Sequence, residues 1–252
     1  MVSTRSSSRA DSAGPEPTPT STPSTPTPAT RKRKPATSAP STDRKPATSA
    51  PSTTTRRRAH RASAFEHTPT FWTLLWMAVS LPLVIWDTGY VLGRPHTMEG
   101  GAAHWPLWLP YKLYGEVDHI YGWKAFHANN GFTAAQGLLN VVETLMYAVY
   151  LWLWYSRGEA TTHGRVVTGR PGALAVLIGF SAAVMTLSKT FLYWSNEYFS
   201  GFDNIGHNNP VDLVFLWIIP NGAWLIGSSY MAWSIGAEIL DGLEAASHVK
   251  KE

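Results

Sequence analysis

Hydrophobic and polar positions divide this chain sharply near residue 68. Before it run Ser, Thr, Pro, Ala and Arg, with Phe65 the one aromatic. After it come four apolar stretches, from about Phe71 to Leu92, Ala134 to Tyr155, Ala173 to Trp194 and Val211 to Ile235. Each is near the roughly 20 residues that a helix needs to cross a bilayer. Pro82, Pro220 and several Gly interrupt them, which membrane helices tolerate. A water-soluble four-helix bundle needs a polar outer face on every helix. The runs "LMYAVYLWLW" and "VFLWIIP" supply none. The pattern predicts an all-α integral membrane four-helix bundle over residues 68–240. A disordered basic tail at 1–67 precedes it and a short cytosolic tail at 241–252 follows.

Within the second stretch, Gln136, Asn140, Glu143 and Tyr147 recur at helical spacing and so share one face. A charge at the centre of a membrane helix costs about 2.5–3.5 kcal/mol on insertion scales, so Glu143 is expected to have a reason to be there. The first stretch repeats the pattern with Trp76, Ser80, Leu83, Asp87 and Tyr90. The third gives Thr186, Lys189, Tyr193 and Glu197, and the fourth Trp217, Asn221, Trp224 and Ser228. Four inward seams would line a cavity holding Asp87, Glu143, Lys189, Asn221 and several Trp or Tyr rings. Two simpler roles stay open. Lys189 neutralises Glu143 or Asp87 without chemistry, and Asn221 is a helix–helix hydrogen bond of the kind common in membranes.

Charge separates the two regions again. Residues 1–67 hold 12 Lys/Arg against 4 Asp/Glu, whereas 68–252 hold 9 against 13. The tail contains a repeat, "RKPATSAPST", at 33–42 and 44–53, and basic clusters "RKRK" and "RRRAHR". It has too little apolar surface to offset the entropy of ordering. Its charge suits anionic headgroups of the cytosolic leaflet. No DNA-binding motif accompanies it, and a nucleic-acid partner is not expected. Arg157, Arg165 and Arg170 lie between the second and third stretches, while Glu197 and Asp203 are the charges between the third and fourth. The bias toward positive cytosolic loops then places both termini in the cytosol. With no Cys, disulfides, Cys-zinc sites and thiol chemistry are excluded. No cofactor or metal is expected.

The runs "NGFTAAQGLLNVVETLMY", "LYWSNEYFSGF", "GHNNP" and "WIIPNGAWL" resemble the EXPERA family over roughly residues 71–240. That family includes emopamil-binding protein, which is the Δ8–Δ7 sterol isomerase, and the sigma-two receptor; the overall likeness is nearest to fungal members. The resemblance implies a four-helix protein of the endoplasmic-reticulum membrane with a pocket for sterols or cationic amphiphiles, and a homodimer is compatible with it. Glu143 matches the family's mid-helix carboxylate, and Asn221 and Trp224 match its N-x-x-W. Asp87 and Asp118 resemble the two aspartates of the receptor. The isomerase's first-helix His and Glu are matched here by Asp87 and the apolar Val91, and Lys189 stands where its third helix carries an acid.

Moving a ring double bond requires a proton donor, an acceptor and a stabilised carbocation. Glu143 and Asp87 are the candidate acid–base pair, with Trp217, Trp224 and Tyr193 facing the cation. Binding a protonated amine needs only one carboxylate and the rings. The expected function is therefore a sterol- or amphiphile-binding membrane protein. The alternatives are an active sterol isomerase and a membrane scaffold whose seams only pack.

Overall fold

The computed structural model describes residues 65–162 and 164–249. The tail through residue 64, with its repeat and basic clusters, and Lys250 and Lys251 lie outside the described residues. In chain order the elements are β1 (Glu66–His67), α1 (Phe71–Gly93), α2 (Pro110–Val117), α3 (Trp123–His127), α4 (Phe132–Arg157), β2 (Glu159–Thr161), β3 (Gly164–Thr168), α5 (Gly169–Phe199) and α6 (Pro210–Asp212). A π-helical segment, Leu213–Ile218, then leads into α7 (Ile219–Val249).

Four helical segments are long and apolar enough to cross a membrane: Phe71–Gly93, Phe132–Arg157, Gly169–Phe199 and Pro210–His248. They coincide with the four apolar stretches of the sequence. Their large apolar side chains point outward, as Leu138, Leu145 and Trp152 do on α4, while Asn140, Glu143 and Tyr147 of the same helix are buried. This is the arrangement expected of a bundle solvated by lipid, where polar groups must find partners inside. Helix α5 packs against both α4 and α7, and α1 packs against α4.

Two glycines permit the close approaches. A Cβ on Gly179 would stand 2.9 Å from the Tyr150 ring, and one on Gly227 would stand 2.4 Å from the Trp76 ring. Small residues at such crossings let membrane helices pack closely. Thr70 caps α1 by accepting the Thr73 N–H at 3.1 Å. The π-helical segment ends two residues before Pro220, which has no N–H to continue the ladder of helical bonds.

The described chain departs from an all-α fold in one place. After α4 the chain forms the hairpin β2–β3, and β1 joins it to make a three-stranded antiparallel sheet of order β1-β3-β2. His67 lies opposite Val167 in register, and both are buried. The short run at 164–168 pairs with β2 on one side and, on the other, with the distant β1, which supplies its second ladder. The tail boundary expected at residue 67 therefore falls inside the folded body. His67 Nδ1 donates to the Glu238 carboxylate at 2.9 Å, and its Nε2 meets Tyr150 Oη at 2.9 Å. These bonds tie the entering strand to α7 and α4. At the other terminus the boundary expected at 240 also moves, because α7 continues to Val249.

Candidate functional site

Between the helices lies a cavity of about 420 Å³, lined by residues from α1, α2, α4, α5, the π-helical segment and α7 together with Tyr121. Such a volume is within the range of pockets that hold small molecules. Leu83 and Leu113, both half-exposed, stand at its mouth. Of the residues singled out in the sequence, Asp87, Lys189, Tyr193, Asn221 and Trp224 line the cavity. Glu143, Asp118 and Trp217 do not; they stand behind the wall.

Helix α1 brings Asp87 to the cavity between two donors. Tyr111 Oη donates to Asp87 Oδ1 at 2.6 Å, and Asn140 Nδ2 donates to Oδ2 at 3.3 Å. Burial and the adjacent Asp87 carboxylate push the Tyr111 hydroxyl above its usual range, so it remains a donor. Trp86, Tyr114 and Tyr121 add aromatic walls. The Tyr90 and Tyr111 rings stack with centroids 3.8 Å apart, behind and beside the carboxylate.

Glu143 is 1% exposed, and its Oε2 accepts from Lys189 Nζ at 2.7 Å. Lys189 Nζ also donates to Asn140 Oδ1. The mid-helix carboxylate is thus neutralised inside the bundle, and the role of cavity carboxylate passes to Asp87. Of the two carboxylates expected to form an acid–base pair, Asp87 lines the cavity and Glu143 does not. The cause is the reach of Lys189 from α5, which places its ammonium between Glu143 and the open space.

Asp118, between α2 and α3, accepts from Tyr193 Oη, from Trp217 Nε1 at 2.8 Å and from the Ile120 N–H at 3.2 Å. Burial pushes its carboxyl up to about 6 against those three donors, with Glu197 adding to the rise. Asp118 therefore orients Tyr193, whose ring lines the cavity, and holds Trp217 in the core. Trp217 is not a cavity wall, since its indole edge is spent on Asp118. Asn221 Nδ2 donates to the Trp217 carbonyl at 2.9 Å, a bond within its own helix. Trp224 packs edge-on against Trp76 with centroids 5.3 Å apart.

Sequence reasoning missed the share of the wall that comes from outside the four spans. Tyr111 and Tyr114 on α2 and Tyr121 after it all line the cavity. The aromatic density of "WPLWLPYKLYGEVDHIYGW" was the available signal. Among the described residues no cluster of His, Asp and Glu has the geometry to hold a metal ion.

Comparison with protein-family models, with curated proteins and with solved structures finds no match for this chain. What stands is the architecture itself, four membrane-length apolar helices and a largely apolar, aromatic cavity carrying a few polar groups.

Proposed function

We propose that this is an EXPERA-type membrane protein whose cavity binds an apolar ligand bearing a protonated amine, a cationic amphiphile or an amine of sterol size. The observation that carries the reading is Asp87. It is the one carboxylate among the residues lining the cavity, it is flanked by Trp86, Tyr111 and Tyr121, and it has no ion-pair partner among the described residues. A carboxylate in an apolar aromatic pocket favours a ligand cation through both charge and ring faces. The family resemblance supports a place in sterol or lipid metabolism in the endoplasmic-reticulum membrane, and the Lys/Arg bias of the connecting segments supports cytosolic termini.

The test is binding of a lipophilic tertiary amine to protein in lipid nanodiscs, read as thermal stabilisation. The parent is expected to be stabilised and Asp87→Asn to lose the effect while remaining folded. Equal stabilisation of both proteins sinks the reading.

A second reading, sterol Δ8–Δ7 isomerisation, draws on the presence of a proton donor, Lys189, and an acceptor, Asp87, among the residues lining one cavity. It requires that the parent restore Δ8-to-Δ7 conversion in isomerase-deficient cells. Binding of amines without such restoration leaves a binding protein.

A further inference from the structure

We propose that, among cationic amphiphiles, the cavity selects long-chain amines with a hydroxyl on the carbon next to the amine-bearing one. This rests on the amine-binding reading above and names the ligand class for the same site. The carrying observation is a continuous run of side chains, Tyr111–Asp87–Asn140–Lys189–Glu143, joined by hydrogen bonds from α2 across α1 and α4 to α5.

Asp87 and Lys189 both line the cavity. They are held apart by one carboxamide, that of Asn140, which donates to Asp87 and accepts from Lys189. The cavity thus presents an acceptor pole and a donor pole bridged by one amide group and its two hydrogen bonds. A two-carbon amino alcohol has the complementary pair, a cationic donor and a neutral acceptor.

The donor pole has capacity left. An ammonium carries three N–H donors. Among the described residues Lys189 Nζ uses two, on Asn140 and Glu143. A ligand hydroxyl takes the third. A plain alkylamine offers that donor no acceptor, and a buried donor without one costs affinity.

Charge decides which partner class fits. The joined set holds two carboxylates, Asp87 and Glu143, against one ammonium, Lys189. One ligand cation completes the balance. A fatty acid adds a further negative charge, and a zwitterion leaves the deficit in place. Arg94, the other cation facing Asp87, spends its guanidinium on the Val91 and Ile120 carbonyls and on Thr133 Oγ1. It keeps its charge, but those three acceptors hold it, it forms no ion pair with Asp87 among the described residues, and it does not line the cavity. The alkyl chain leaves past Leu83 and Leu113 at the mouth.

The experiment compares three probes on the full chain in nanodiscs by competition against one labelled lipophilic amine. They are sphinganine, octadecylamine and N-acetylsphinganine. Sphinganine is expected to bind about tenfold more tightly than octadecylamine, the value of one hydrogen bond to a charged group. N-acetylsphinganine, which keeps the hydroxyls and loses the cation, is expected to fall below both. In the double variant Lys189→Met with Glu143→Gln, which removes the donor without stranding a carboxylate, the sphinganine-to-octadecylamine ratio is expected to drop to about one. Equal affinities in the parent, or a preference that survives in the double variant, overturn the proposal while leaving amine binding intact. If the folded parent binds no amine at all, the amine-binding reading and this one fall together. The parent comparison stands alone should the double variant not fold.

Discussion

Lys189 and Glu143 form a buried pair, with Nζ donating to Oε2 at 2.7 Å and side chains 10% and 1% exposed. The pair explains how a membrane helix carries a carboxylate near its middle. Its charge is met by a lysine from the neighbouring helix rather than by water. Breaking such a pair strands a charge, whereas removing both partners need not. Lys189→Met is expected to cost about 3–5 kcal/mol, and Lys189→Met with Glu143→Gln to recover most of it. Thermal unfolding of the single and double variants in detergent measures this. A double variant as unstable as the single one shows that Lys189 stabilises by packing.

Asp118 supplies a pH dependence whose sign follows from its raised carboxyl. Burial raises the folded carboxyl to about 6 from its ordinary 3.8, so the folded state holds the proton more tightly. The stabilisation is complete below the unfolded value and is lost as pH rises through about 6. Its size is on the order of 3 kcal/mol. Melting temperature is expected to fall between about pH 4 and about pH 6 on this account, and Asp118→Asn to flatten that part of the profile.

The same substitution has a cost of its own at neutral pH. Both oxygens of Asp118 accept, Oδ2 from Tyr193 and Trp217 and Oδ1 from Ile120. An Asn in either orientation faces one of those donors with its own N–H₂ group. A loss of about 1–3 kcal/mol is expected. Because Tyr193 lines the cavity, amine binding should weaken with it.

His67 anchors the entering strand to the bundle through Glu238 and Tyr150. His67→Ala is expected to cost about 2 kcal/mol, and Tyr150→Phe, which removes one hydroxyl, about 1 kcal/mol. Thermal melts provide the check. A His67→Ala protein as stable as the parent shows that the β1 contacts are incidental.

Gly227 sets the spacing of α1 and α7. A methyl group there meets the Trp76 ring at 2.4 Å, and Trp76 in turn supports Trp224 on the cavity wall. Gly227→Ala is expected to destabilise by about 1–3 kcal/mol. It should also reduce the thermal shift produced by a lipophilic amine. Unchanged stability and binding would mean that Trp76 moves aside freely.

The sequence by itself determined the four membrane-length helices, because about twenty predominantly apolar residues have few other solutions. It also determined which faces turn inward. Helical periodicity put Asn140, Glu143 and Tyr147 on one stripe, and Thr186, Tyr193 and Glu197 on another, and all of these are buried. Local spacing fixes a face because neighbours on a helix are only a turn apart. What partners those faces meet was decided by the tertiary structure. Nothing in the spacing of α4 says that Lys189, on another helix, takes Glu143 and leaves Asp87 to the cavity. The strand at Glu66–His67 could not be read locally, since its partner strand, Gly164–Thr168, lies about a hundred residues away. The tyrosines of α2 reach the cavity for the same reason: contact across the bundle depends on how the connecting segment folds back, and one-dimensional periodicity carries no information about that.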